Sequence, residues 1–265
     1  MSCTLRTMMV AIGLVTALQC TVAATPDNNA VYPGEELVYE VSYLSFTLGT
    51  IKTVTEPFTM LNGRKVAKVK LWIDSNPNIP FVSLHSIYES WMDTNATYSH
   101  KFQSRTLGDN GKDAYERYTF DYANLNATIE RWQTKGEVEK RQFDIEKRVN
   151  DGSSILYTAR SMLYSKKSYR IPTVIMNDAV STVVNFQGKV EPTEIDAVSY
   201  PVRTVYIKGT ADWTGVYGLT GRFEGWFSDD DARIPIRAKM NVYVGSVTIE
   251  LKSWKRGSWR PPRML

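Results

Sequence analysis

Apolar and polar residues alternate along most of this chain. Residues 37–43 read Leu-Val-Tyr-Glu-Val-Ser-Tyr, and the alternation resumes past Gly49 in 46–51. Residues 66–73 are apolar on one face and partly basic, through Lys68 and Lys70, on the other. The same rule holds at 87–92, 98–102, 115–122, 127–132, 138–145, 180–186, 189–195, 202–207, 221–227, 234–244 and 247–254. A period of two puts successive side chains on opposite faces of a strand. Asn62-Gly63, Asp109-Asn110-Gly111 and Lys135-Gly136 separate these runs, as hairpin turns do.

One stretch departs from the rule. Ile155, Leu156, Ala159, Met162 and Leu163 fall at helical spacing after Asp151-Gly152, with Ser153 or Ser154 available as N-cap. The pattern predicts a mostly all-β protein. It is a single curved antiparallel sheet, a half-barrel or β-roll, with one short helix near 153–164 padding one side. Residues 43–51 and 240–249 echo each other, each with a glycine, Gly49 or Gly245, inside a strand pair. Glycine there permits a bulge or a tight hairpin; two unrelated strand bends would read the same way.

The N-terminus follows a different logic. Arg6 precedes an apolar stretch from Met8 to Val15, and Val22-Ala23-Ala24 offers small residues for a signal peptidase. The run is shorter and more interrupted than the roughly 20 apolar residues of a spanning helix. The expected organisation is a cleaved signal peptide at 1–24, a polar linker at 25–30 opening on Pro26-Asp27, one β domain at 31–254 and a basic, aromatic tail at 255–265. That places the protein in the periplasm or outer envelope of a bacterium, with no transmembrane span in the mature chain. Gln19 before Cys20 disfavours lipid attachment there. Cys3 and Cys20 are the only cysteines, so the mature chain has no disulfide, thiolate nucleophile or cysteine zinc site.

The net charge of +4 falls to +3 without Arg6. Lys252, Lys255, Arg256, Arg260 and Arg263 supply five cations after Glu250, which leaves 25–251 at −2. The basic balance therefore comes from the tail, and a nucleic-acid face is not indicated. The tail reads as a contact for an anionic membrane or glycan, or as a floppy solubilising terminus.

No residue constellation demands a chemistry, and no cofactor or metal site is signalled. His85 and His100 are the only histidines and lie in no catalytic or zinc motif. Asp229-Asp230-Asp231 sits between two strands beside Arg233 and Arg237; contiguous acids suit an Asx turn better than a calcium loop. Glu35-Glu36 after Pro33-Gly34 reads as a solvated turn. Seven Trp, fifteen Tyr and nine Phe invite a binding surface, notably the loop holding Trp213 and Tyr217, and Trp226 nearby. The candidate ligand contacts are thus Trp213, Tyr217, Trp226, Asp229, Asp230, Asp231, Arg233 and Arg237.

Three blocks also carry a family resemblance: 32–43 (Tyr-Pro-Gly-Glu-Glu-Leu-Val-Tyr-Glu-Val-Ser-Tyr) with Leu48-Gly49-Thr50; 151–160 (Asp-Gly-Ser-Ser-Ile-Leu-Tyr-Thr-Ala-Arg); and 226–237 with Gly245-Ser246 and Glu250-Leu251. In this order the chain resembles the bacterial exported proteins known as domain of unknown function 3108, over 31–254. The resemblance implies export, a mostly antiparallel β structure with one helical insert, and no established activity. A looser likeness to the half-barrel sheets of periplasmic lipoprotein carriers is one of fold only. Three functions are then open: a lipid or other amphipathic ligand held on the concave side of the sheet; docking on envelope proteins or glycan; and, third, an envelope hydrolase.

Overall fold

The computed structural model of the protein describes residues 29–44, 46–79, 83–108, 111–176, 178–214, 220–242 and 244–265. The signal segment with Cys20, most of the linker, Asp109 and Asn110 of one expected turn, and Tyr217 with its glycine-rich loop lie outside the described residues.

Among the described residues, fifteen strands form one antiparallel sheet. They are β1 (Glu36–Tyr43), β2 (Phe46–Thr55), β3 (Thr59–Leu61), β4 (Arg64–Ser75), β5 (His85–Met92), β6 (Ser99–Thr106), β7 (Ala114–Asp121), β8 (Asn126–Gln133), β9 (Glu139–Asp144), β10 (Ser168–Ile175), β11 (Asp178–Thr193), β12 (Val202–Thr214), β13 (Thr220–Ser228), β14 (Pro235–Asn241) and β15 (Ser246–Lys255). The helix α1 (Ser154–Met162) lies between β9 and β10. The strand order is β10-β11-β12-β13-β14-β15-β1-β2-β4-β5-β6-β7-β8-β9, with β3 pairing only β4. Two meanders are therefore joined where the first strand meets the last, Tyr39 opposite Leu251 and Tyr43 opposite Val247.

The helix shows that this sheet curls. β12 and β4 stand six steps apart in the order; at ~4.8 Å per step a flat sheet would separate them by about 29 Å. Yet α1 reaches both. Ala159 and Leu163 pack with Val205 and Ile207 of β12, and Tyr157 packs with Ala67 and Val69 of β4. A helix is only ~10–12 Å across, so the strands wrap around it. The two ends of the sheet also approach: Arg141 of edge strand β9 stands 3.2 Å from Asp178, at the hairpin that joins edge strand β10 to β11. The ladder nonetheless stays open rather than closing into a barrel.

The inner face is filled. Four apolar clusters cover it, built from the alternate residues that the period of two assigns to one side. The helix N-terminus is capped by Asp151 rather than by either serine. Its Oδ1 accepts the N–H groups of Ser153 and Ser154 at 2.7 and 2.8 Å, satisfying donors that a helix start leaves orphaned.

The expectation of a floppy C-terminal tail is corrected. Arg256 is buried, the Arg203 N–H donates to Pro262 O at 2.7 Å, and the Met264 N–H donates to Pro201 O at 2.9 Å. Trp259 packs on Trp254 and donates its indole N–H to Asp230 at 2.8 Å. Proline carbonyls and two indoles find partners at the sheet end, so the segment is part of the core's lid. Among the described residues no helix is long and apolar enough to cross a membrane.

Candidate functional site

The three aspartates make a turn that bolts the helix to the sheet. Asp230 Oδ1 accepts from Ser228 Oγ at 2.7 Å and from the N–H groups of Ala232 and Arg233 at 3.0 and 3.1 Å, an Asx turn between β13 and β14. Asp229 takes Arg203 Nε at 2.7 Å and the Tyr164 hydroxyl at 3.1 Å. Arg233 donates to the carbonyls of Arg160 and Ser161 at 3.2 and 3.0 Å, where a helix C-terminus presents unpaired oxygens and partial negative charge. Asp231 is exposed.

The other candidates lie elsewhere. Trp213, at the far end of β12, donates to Thr182 Oγ1 at 2.9 Å. Trp226 donates to Glu191 on the outer face, and Arg237 contacts the Glu194 carbonyl and stands 3.8 Å from Glu250. Trp226 and Arg237, opposite one another, line one groove with Glu191 and Glu194, but the seven described candidates do not all converge on one site. His85 pairs with Asp74 at 3.0 Å on the surface, and no group of metal-ligating side chains gathers among the described residues.

The sequence reading also missed a buried ion group. Glu35, expected in solvent, is fully buried. Arg160 meets both its oxygens, Nη1 to Oε1 at 2.6 Å and Nη2 to Oε2 at 2.9 Å, and Arg256 adds a third contact at 2.5 Å. Glu35 and Arg160 fall in two of the resemblance blocks, which was the one available signal. Glu35 and Arg160 are fully buried and Arg256 is nearly so, so the role of the cluster is architectural.

Outward-facing rings are covered as well. Lys52 and Lys70 sit over Trp72 at 5.7 and 5.0 Å, Lys68 and Lys101 over Trp91 at 5.1 and 4.4 Å, and Arg117 over Trp132 at 5.1 Å. Tyr115 stacks on Trp132 at 5.4 Å, and Arg105 lies over the Tyr115 ring at 5.9 Å. Rings whose faces are taken by cations offer little stacking surface for sugars.

One open groove of about 600 Å³ remains distinctive, on the outer face of β11–β14. Lys208, Arg222 and Lys239 line it with Asn185, Tyr206, Thr210, Glu224 and Asn241. Register explains the grouping: Asn185 lies opposite Lys208, Lys208 opposite Glu224, and Glu224 opposite Lys239. Alternation sends all of these away from the core. Glu224 accepts from the Tyr206 hydroxyl at 2.6 Å; burial, then this carboxylate, pushes the Tyr206 phenol up to about 12. None of the three cations forms an ion pair with another described residue. An unpaired cation trio in a concavity is chemically suited to an anionic oxygen ligand.

Comparison with known proteins gives fold but no chemistry. No curated protein matches the chain. A β-barrel-like protein of domain of unknown function DUF1849 from Brucella abortus is similar in structure, with a TM-score of 0.54 at 10% identity, covering 86% of this chain and 99% of that one. A protein from Bacteroides fragilis described as a putative exported protein with YmcC-like fold has a TM-score of 0.35 at 10% identity, covering 85% and 98%. The profile of one family of unknown function matches residues 38–252, and the chain belongs to that family, DUF3108.

Proposed function

We propose that this is an exported, non-catalytic envelope protein that binds an anionic amphipathic ligand in the groove on the outer face of β11–β14. The observation that carries the reading is the trio Lys208, Arg222 and Lys239, unpaired in one concavity. Export is supported by the leader pattern at 1–24. The ligand moves from the expected concave side to the convex one, because α1 and the four clusters occupy the interior.

Two features weigh against docking on envelope protein or glycan. Trp72, Trp91 and Trp132 have cations on their faces. The open edge strand β9 carries Glu139, Lys140 and Arg141, mostly exposed, and charge on an edge discourages strand addition.

The test is titration of soluble dihexanoyl phosphatidylglycerol onto the protein, followed by calorimetry. Replacing Lys208, Arg222 and Lys239 together with alanine removes about 1 kcal/mol per cation, so affinity falls ~100-fold. Unchanged affinity in that variant ends the reading.

A further inference from the structure

We propose that the end of the sheet bearing the β1–β2 and β14–β15 connections seats on an anionic lipid bilayer, whose headgroups enter the Lys208–Arg222–Lys239 groove. This presupposes the groove assignment and names where its ligand resides.

Leu44, Val244 and Phe46 are 80, 74 and 65% exposed, the highest values among large apolar side chains of the described residues short of the terminal Leu265. They sit on two hairpins in contact: β1 pairs β15, and a Cβ at Gly245 would lie 3.2 Å from the Tyr43 ring. Leu44 has a φ of 53°, a left-handed backbone that glycine and asparagine adopt more readily. A solvated leucine at a strained position gains nothing from packing.

The groove opens beside these tips, because Asn241 and Ser246 line it and flank the 242–245 connection. Apolar side chains that project singly from hairpin tips suit a fluid lipid surface, which closes around each. A protein partner would demand a contiguous complementary patch. The unpaired cations match the negative surface potential of anionic headgroups.

The experiment is co-sedimentation of the protein recovered from cells expressing the full chain, using phosphatidylcholine vesicles with or without phosphatidylglycerol. Wild type is expected to sediment with the phosphatidylglycerol vesicles and to be released by salt. The Leu44→Ser/Phe46→Ser/Val244→Ser variant is expected to lose vesicle affinity about tenfold or more, with its melting temperature and its binding of soluble dihexanoyl phosphatidylglycerol unchanged. The Lys208→Ala/Arg222→Ala/Lys239→Ala variant is expected to lose both. Tip variants that sediment like wild type, or equal binding without phosphatidylglycerol, overturn the bilayer seating and leave the groove standing. Inorganic phosphate displacing the soluble lipid at equal concentration assigns the groove to free anions and overturns the headgroup. A groove variant that still binds the soluble lipid overturns both.

Discussion

Arg160 lays its guanidinium across both carboxylate oxygens of Glu35, at 2.6 and 2.9 Å, although the two residues are 125 positions apart. The contact ties the helix to the start of the first strand, and Arg256 brings the C-terminus to the same carboxylate. Removing one partner of such a group leaves charge buried without compensation, at a cost of about 3–5 kcal/mol. Glu35→Gln is therefore expected to destabilise by that amount in urea unfolding while leaving lipid titration unchanged. Truncation after Lys255 removes Arg256 and Trp259 together and should cost at least as much; a truncated protein that melts with wild type would contradict this packing.

A second prediction concerns acid. Burial, reinforced by the charge of Arg64, holds the His100 imidazole below its ordinary value of 6.5. Its Nε2 is buried with no hydrogen-bond partner among the described residues, and its ring stands edge-on to Tyr98 at 4.8 Å. The folded value lies below the unfolded one. Stability from neutral His100 is therefore present above pH 6.5 and lost as pH falls through the folded value. His100→Phe should flatten the pH dependence of the melting temperature on the acid side of 6.5; a profile as steep as wild type would count against it.

The strained tip makes a third. Leu44→Asn relieves the left-handed backbone and should leave stability equal or raise it by up to about 1 kcal/mol. Vesicle affinity should drop in the same variant, which separates the role of Leu44 from any role in folding.

Gly49 makes a fourth. A Cβ there would lie 2.2 Å from the Asp74 carbonyl oxygen, where β1, β2 and β4 meet beside the register shift at Val41/Ser42. Gly49→Ala should cost roughly 3 kcal/mol, because backbone cannot yield as a flexible side chain does. Gly245, its counterpart in the sequence echo, owes its identity to a φ of 79° in a hairpin. The two glycines answer different constraints, so the echo is a coincidence of strand bends.

Much of the fold was legible because the signal is local. Side chains on a strand alternate whatever the strand pairs with, so residues 37–43 or 127–132 reveal both strand and inward face. The helix declared itself by its spacing, and the Asp229–Asp231 turn by contiguous acids between strands. The candidate site was less legible. Trp226 and Trp213 look alike in sequence, yet Trp213 spends its indole N–H on the adjacent strand β11 and Trp226 reaches across β12 to Glu191 of β11.

The chain by itself determined an all-β protein with one helix, its turns, its leader pattern and its family. Only the tertiary structure decided that β1 closes on β15, that the helix fills the interior, that Glu35 is buried and the C-terminus pinned, and which cations go unpaired. The physical reason is range. Periodicity is written in neighbouring residues, whereas burial and charge compensation depend on strands that meet from opposite ends of the chain.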